Sequence, residues 1–213
     1  MGGQAREGTA HDGRLTVATE SAAVKTPPAS QLARRERILD AAVDLASEGG
    51  YDSVQMREVA DRADVALGTL YRYFPSKVHL LVSAMGRTFD ELQASVAPSD
   101  AEASTPEERV YRVVAAVTRY LAKNRRLSGA MLRALVSADV DAGDEVDAVS
   151  AQMVGMIADA WHTPGSTPTE RDALVALVIG KVWLSDVLTL LTRRMTVSQV
   201  LEDLEATIAL VMR

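Results

Sequence analysis

A dense group of polar side chains with fixed spacing lies between residues 53 and 77. The run Gly-Thr-Leu-Tyr-Arg-Tyr-Phe at 68–74 places Leu70 and Phe74 four residues apart, so both anchor one face of a helix. Tyr71, Arg72 and Tyr73 then point outward with their hydroxyl and guanidinium groups. Such donors suit the phosphates and base edges of a DNA major groove, which admits one helix. The run therefore predicts a recognition helix.

A second short helix precedes this one and has the apolar face needed to support it. Val59, Ala60 and Ala63 form that face, and Ala63-Asp64-Val65 forms the turn, with Val65 filling the gap between the helices. This pattern predicts a helix-turn-helix, the arrangement that inserts its second helix into DNA. A helical pair packed in a protein interface is the alternative interpretation.

With Val59-Ala60 before it and Pro75-Ser76-Lys77 after it, the motif resembles the DNA-binding domain of the TetR family of bacterial repressors. The runs 49–57, 61–66, 77–84, 182–185 and 191–194 are similar to the TetR-type repressors of cholesterol catabolism. The resemblance implies an all-α bacterial cytoplasmic protein. It also implies a three-helix DNA-binding domain at 30–77 and a ligand-binding and dimerisation domain at 78–213.

The resemblance also implies which residues contact DNA. Those residues are Gln55, Arg57, Leu67, Gly68, Thr69, Tyr71, Arg72, Tyr73 and Lys77. Arg57 matches a position that reaches a base or a phosphate, and a guanidinium there can bond O6 and N7 of guanine together. Gly68 lets backbone approach DNA closely, and Tyr71, Tyr73 and Lys77 match phosphate contacts.

Three residues depart from the family pattern. Gln55 stands where many relatives carry a capping Thr, so that phosphate contact is expected to be longer or lost. Asp64 replaces a turn glycine, and Asp tolerates a left-handed backbone. Ala66 replaces a frequent Ser and removes one hydroxyl near the groove.

Composition favours a helical interior and does not by itself indicate DNA binding. The 213 residues are 47% hydrophobic with two Phe and two Trp, and the absence of Cys excludes disulfides and thiolate metal sites. The net charge is −6, and residues 1–77 carry ten Lys plus Arg against eleven Asp plus Glu. DNA binding should therefore rest on few, well-placed ion pairs. Residues 1–29 lack the apolar core of a secretory signal and are predicted to be a disordered tail.

The rest of the chain predicts helices only, because no alternating strand pattern occurs. The first helix is predicted from Ser30 to the Gly49-Gly50 pair, and Ser76 is expected to cap the fourth. A polar loop at 98–104 is the expected boundary. The later helices are predicted at 106–123, 126–138, 144–162, 169–193 and 197–212. Three of them begin with capping boxes, at Thr105, Thr167 and Thr196.

The helix at 169–193 is apolar on nearly every side. Lys181 and Asp186 argue against a membrane span, so we expect it to lie between protein surfaces. In the TetR family the last two helices pair with those of a second copy, which implies a homodimer. The predicted dimerisation residues are Leu188, Leu201, Leu204 and Ile208. Completion of a monomeric core is the alternative.

Long and aromatic apolar residues on the middle helices are candidates for an effector pocket. They are Met85, Phe89, Leu127, Met131, Met153, Met156, Ile157, Trp161 and Trp183. Each of them is also an ordinary core residue. The resemblance implies a cholesterol-derived ligand or its coenzyme A thioester. Its phosphates could meet Arg109, Arg112, Lys123, Arg125 and Arg126, although a solvated charged face explains these residues equally well.

The chain lacks the motifs of common enzyme classes. His-Glu-x-x-His, Gly-x-Ser-x-Gly, a phosphate loop and a cysteine nucleophile are all missing. His79 and His162 have no partner at ligand spacing, so no metal or cofactor is predicted and both are interpreted as structural. The expected function is a DNA-binding repressor released by a hydrophobic effector. The alternatives are a TetR-type regulator of another lipophile, such as a fatty acyl thioester or an efflux substrate, and a helical scaffold without DNA binding.

Overall fold

The computed structural model describes residues 29–95, 105–162 and 169–212, and every regular element in them is helical. The predicted all-α fold is confirmed. The helices are α1 (Ala29–Gly49), α2 (Met56–Arg62), α3 (Leu67–Tyr73), α4 (Lys77–Ser95), α5 (Pro106–Lys123), α6 (Arg125–Val136), α7 (Gly143–Trp161), α8 (Glu170–Leu191) and α9 (Val197–Val211). Short 3-10 helices at Tyr51–Ser53 and Val140–Ala142 were not predicted. The predicted tail, apart from residue 29, and the loop at 98–104 lie outside the described residues.

Helices α1, α2 and α3 form a small unit around the apolar face of α1. Ile38 and Leu45 of α1 are buried, as are Leu70 and Phe74, the two residues predicted to anchor the recognition helix. Asp64, in the turn between α2 and α3, has a φ of 51°. Its short polar side chain tolerates this left-handed conformation, as the sequence led us to expect. The turn therefore forms without the glycine usual in the family.

Helix α4 connects this unit to the rest of the protein. The Ser76 hydroxyl accepts hydrogen bonds from the backbone N–H groups of Val78 and His79 at 3.2 and 3.4 Å, which confirms the predicted cap. From there α4 packs against α1 on one side and against α6 and α7 on the other. A displacement of α4 would therefore move the N-terminal unit.

Capping boxes start α5, α8 and α9, but the sequence placed the box of α8 at the wrong residue. Those at Thr105 and Thr196 are confirmed. Helix α8 is capped by Thr169 instead of Thr167, because the Asp172 carboxylate accepts the Thr169 N–H at 2.8 Å and closes the box there.

Helix α8 is long and apolar enough to cross a membrane by length and composition, and within the described residues it is the one helix that meets this test. One face, including Ile179 and Trp183, is buried, and α8 packs on α7 and α9. The opposite face exposes Leu174, Val178 and Leu188. Within a single chain the helix is thus covered on one side, although its sequence predicted neighbours on all sides.

Two of the four predicted dimerisation residues do not reach the surface of the single chain. Leu204 is 0% exposed and Ile208 is also buried, because both point from α9 into the core of their own chain. Leu201 is half-buried, and Leu188 is 45% exposed. The apolar stripe of α9 therefore holds α9 to its own chain, and the uncovered apolar surface lies mainly on α8.

Candidate DNA interface and ligand cavity

The outer face of α3 carries most of the predicted DNA contacts. Tyr71 is 46% exposed, and Leu67 and Arg72 are exposed beside it, while Thr69 is half-buried. A Cβ added to Gly68 would have no atom within 4 Å, so the glycine faces open space and the fold does not require it. This is the geometry expected if the helix backbone approaches another molecule at Gly68.

Tyr73 is less available than the sequence suggested. It is half-buried against the core, with its ring 6.4 Å from that of Phe74 and the Arg72 guanidinium 5.8 Å from its centroid. The expectation that Tyr73 points fully outward is corrected, because part of its ring stabilises the end of α3. Its phosphate contact remains a prediction.

The start of α2 supplies the other predicted contacts. Arg57 is exposed in the first turn of α2. Gln55 occupies the N-cap position but makes no side-chain capping bond, and its amide donates instead to the Asp52 carbonyl at 3.3 Å. The missing cap agrees with the departure noted in the sequence.

Three acidic residues of α1 form ion pairs within the protein. The Arg87 guanidinium of α4 lies 2.6 Å from an Asp40 carboxylate oxygen and 3.3 Å from one of Glu36. Glu48 pairs with Arg62 at 2.8 Å, and that hydrogen bond lowers the pKa of Glu48. Because Arg87 lies outside the N-terminal unit, its ion pairs offset part of the negative charge of that unit, whereas the Glu48–Arg62 pair is internal to it.

Lys77 forms part of a contact between the N-terminal unit and α6, which we call the Tyr51 junction (Tyr51, Asp52, Lys77 and Arg133). The Lys77 ammonium donates to the Tyr51 carbonyl at 3.2 Å and lies 4.2 Å from the centroid of the Tyr51 ring. The Arg133 guanidinium is 4.3 Å from the same centroid and pairs with Asp52 at 3.1 Å. Burial lowers the pKa of Lys77. Lys77 is therefore partly engaged inside the protein, and its phosphate contact stays a prediction.

A cavity of about 630 Å³, part of it open to solvent, lies between α4, α5, α6, α7 and α8. Its walls are almost entirely apolar, as the walls of small-molecule sites usually are. Five predicted residues line it: Met85, Phe89, Met131, Met153 and Trp183. Trp183 is fixed in place because its indole N–H donates to the Thr118 hydroxyl at 2.9 Å.

The other four predicted pocket residues do not line this cavity. Leu127, Met156 and Ile157 are buried in the packed core, and Trp161 stacks on the ring of His162 with centroids 6.0 Å apart. Core and cavity-wall residues have the same apolar types. Which of them faces a gap depends on how the helices pack, so the sequence alone did not separate the two sets.

Ten wall residues were missed: Thr88, Leu121, Ser128, Leu132, Leu135, Val149, Ser150, Leu184, Val187 and Leu191. A signal for some of them was present. Ser128 lies three residues before the predicted Met131 and Leu135 four residues after it, so both share its face of α6.

Two of the arginines considered for ligand phosphates bond the ends of helices within the protein. Arg109 donates to the carbonyls of Ala160 and Trp161 at the end of α7. Arg125 donates to those of Leu190 and Leu191 at 3.1 Å, at the end of α8. Guanidinium groups satisfy terminal carbonyls and favour the negative end of the helix dipole. These contacts give both arginines a structural role.

Arg126 donates to the Glu48 carbonyl at 2.9 Å, near the end of α1. It therefore adds a second link between α6 and the N-terminal unit, beside the Tyr51 junction.

Both described histidines have partners that the sequence did not reveal. His79 Nδ1 lies 2.9 Å from the Ser76 hydroxyl, and its Nε2 lies 3.0 Å from the Asp141 carbonyl. His162 Nε2 lies 3.3 Å from the Asp172 carboxylate. Within the ranges that the structure covers, no three His, Cys, Asp or Glu side chains are grouped as metal ligands would be.

Comparison with known proteins identifies the family of the chain. Residues 38–84 match the family described as bacterial regulatory proteins, tetR family. Residues 103–211 match the family described as tetracyclin repressor-like, C-terminal domain. The two matches correspond to the helix-turn-helix end and to the cavity-bearing end of the structure.

Individual relatives agree with this result. The chain is 48% identical over 181 residues to the HTH-type transcriptional repressor KstR of Mycobacterium tuberculosis, covering 85% of this chain and 81% of the relative. The KstR of Rhodococcus jostii is 46% identical over 183 residues, covering 86% and 84%. A TetR transcriptional regulator from Rhodococcus sp. RHA1 has a crystal structure with a TM-score of 0.79 at 34% identity, covering 85% and 97%.

One more distant solved structure shares the fold. The Thermus thermophilus FadR, described as a TetR-family transcriptional repressor in complex with lauroyl-CoA, has a TM-score of 0.60 at 18% identity, covering 82% of this chain and 93% of that protein. The family matches and the KstR relatives lead to one conclusion: this chain belongs to the TetR family of bacterial transcriptional regulators.

Proposed function

We propose that the protein is a dimeric repressor that binds palindromic operator DNA and is released from it by a hydrophobic effector, acting in the bacterial cytoplasm. The observation that carries this proposal is the outer face of α3, where Leu67 and Tyr71 are exposed and Gly68 faces open space in the described part of the chain. Two relatives that share nearly half of their aligned residues with this chain are named transcriptional repressors.

Dimerisation is supported by the uncovered apolar face of α8. Leu174, Val178 and Leu188 recur along that helix at helical spacing, and Leu210 of α9 is also exposed. Exposed leucine and valine side chains that share one helix face in this way favour pairing with a second copy. A symmetric dimer would place its two recognition helices in successive major grooves, roughly 34–36 Å apart.

The effector is proposed to be a cholesterol-derived compound or its coenzyme A thioester, and the regulated genes those of steroid catabolism. The apolar walls of the cavity suit a hydrophobic ligand, and the sequence resembles repressors of cholesterol catabolism. A fatty acyl thioester is the second candidate, since one solved protein of this fold is in complex with lauroyl-CoA. At 18% identity that likeness extends to the fold alone.

Helix α4 provides a physical link between effector and DNA. It begins at Lys77 beside the recognition helix, and Met85 and Phe89 on the same helix line the cavity. A ligand that displaces these side chains would shift α4 and change the spacing of the two recognition helices. Because both half-sites must be bound together, a small shift would weaken the whole complex.

The test is fluorescence anisotropy with DNA from the region upstream of the protein's own gene. We expect the protein to bind this DNA in preference to a scrambled sequence of equal length, and a cholesterol-derived acyl-CoA to reverse binding. Equal affinity for both DNAs would contradict operator recognition. Release by lauroyl-CoA but not by the steroid thioester would favour the second candidate.

A further inference from the structure

The cavity wall contains a buried hydroxyl whose hydrogen-bonding capacity is unused. Ser128 is 2% exposed and lines the cavity, and its Oγ has no hydrogen-bond partner in the described part of the chain. Leaving a buried hydroxyl unpaired costs stability, so proteins generally pair such groups. A hydroxyl that the protein does not pair is available to a ligand.

The other hydroxyls near the cavity differ from Ser128. Thr88, also in the wall, donates to the Ala84 carbonyl at 3.0 Å, and Thr118 donates to Val114 while it accepts from Trp183. Ser150 is exposed to solvent. The described part of the wall therefore offers one enclosed hydroxyl that the protein leaves without a partner.

The position of Ser128 on α6 directs it toward the cavity. It shares a helical face with Met131, Leu132 and Leu135, all of which line the same space. A helical serine often bonds the carbonyl four residues before it. In this helix the Asn124 carbonyl accepts the Ser128 backbone N–H at 2.9 Å, and the hydroxyl makes no bond to it.

We infer that Ser128 binds a carbonyl or hydroxyl oxygen carried by the enclosed part of an otherwise apolar effector. The inference rests on the proposed function, because it assumes that the cavity holds the effector. It also distinguishes the two effector classes. A sterol carries an oxygen on its ring system, whereas the distal chain of a fatty acyl thioester presents only C–H groups and would leave Ser128 unpaired.

The test is a double-mutant cycle between Ser128 and the ligand oxygen. Cholesterol and its 3-deoxy analogue cholest-5-ene serve as probes, delivered in cyclodextrin and followed by the fluorescence of Trp183. We expect Ser128→Ala to reduce the affinity ratio of cholesterol to cholest-5-ene by about 2- to 13-fold, the usual contribution of one hydrogen bond. Thr88→Val is the control. It also removes a wall hydroxyl, but one bonded within the protein, so the ratio should not change.

A structural role for Ser128 predicts a different result. If the hydroxyl has no partner in the free protein, Ser128→Ala should leave the melting temperature unchanged or raise it. A lower melting temperature, or an affinity ratio equal to that of the wild type, would overturn the inference and leave the proposed repressor function standing. If neither sterol binds, the steroid effector class fails. The same cycle with hexadecan-1-ol and hexadecane then decides the role of Ser128 independently.

Discussion

The recognition helix and the cavity wall use their side chains in different ways. On α3, Leu70 and the following Phe74 form the core, while Leu67 and Tyr71 face outward, so folding and binding are assigned to different residues. In the cavity wall, Met131 and Trp183 belong to the buried core and line the cavity as well. Substitutions at the exposed Leu67 and Tyr71 of α3 should therefore affect binding without affecting stability, whereas those at Met131 and Trp183 should affect both.

The largest loss of operator affinity is expected when charges are placed on the exposed face of α8, the proposed dimer interface. Leu174→Glu combined with Leu188→Glu places charges on the exposed face of α8, so the variant should fold but remain monomeric. Operator affinity should then fall by about 10²–10⁴-fold, because the second half-site no longer adds to binding. Analytical ultracentrifugation and anisotropy measure the two effects.

Two further variants control this experiment. Val140→Glu, at a position 95% exposed outside α8, should leave both dimer and affinity unchanged. Leu204→Glu should lower the melting temperature strongly, since it buries a charge in the core of one chain. A normal dimer from the α8 double variant would move the interface elsewhere.

The next largest effect concerns base recognition by α2. If Arg57 bonds guanine through two hydrogen bonds, Arg57→Ala should cost about 1–3 kcal/mol and relax preference at one base pair per half-site. Its melting temperature should be unchanged, because the side chain is exposed. Affinities for a set of singly substituted operators measure this. A uniform loss with a reduced salt dependence would identify Arg57 as a phosphate contact.

A smaller effect is expected from Tyr71→Phe, which removes one exposed hydroxyl from α3. If that hydroxyl bonds a phosphate, affinity should fall by about 0.5–1.5 kcal/mol for operator and non-operator DNA alike. Thermal unfolding should not change. Loss of discrimination between operators with unchanged non-specific affinity would instead assign Tyr71 to base recognition.

The smallest effect concerns Asp186 of α8. Burial and then the charge of Asp203 raise the pKa of Asp186, and its Oδ2 has no hydrogen-bond partner among the described residues. Because the folded protein holds this proton more tightly than the unfolded chain does, the Asp186 carboxyl stabilises the folded state at low pH. That stabilisation is lost as the pH rises through the folded-state pKa. Asp186→Asn should therefore raise the melting temperature at pH 7, with the gain shrinking toward pH 4. Asp147→Asn, an exposed site, is the control, and a pH-independent gain would contradict this explanation.

The N-terminal unit was predictable because its determinants are local. The pair Leu70 and Phe74, the left-handed Asp64 and the Ser76 cap each depend on residues a few positions away. Its charge balance was harder to interpret, since Asp40 is neutralised by Arg87, 47 residues later. Even in this unit the half-burial of Tyr73 was not predicted, because it depends on packing against the core.

The helices of the C-terminal region were predictable from the sequence, but which of their residues are buried, exposed or in the cavity wall was not. Leu204 and Leu188 carry the same side chain, yet one is buried and the other exposed, because α9 packs on its own chain and α8 is covered on one side. Likewise Met153 lines the cavity and Met156 does not. These differences arise from contacts between distant helices, which periodicity within one helix does not specify.

The most direct test of the account is a measurement of the coupling between effector and DNA. The affinity for a cholesterol-derived acyl-CoA is measured with and without saturating operator, and operator affinity with and without the thioester. Thermodynamic linkage requires the two ratios to be equal. We predict that each partner weakens the other by the same factor, roughly 5- to 150-fold for a typical allosteric coupling. Tight binding of the thioester with unchanged operator affinity would contradict release by this effector.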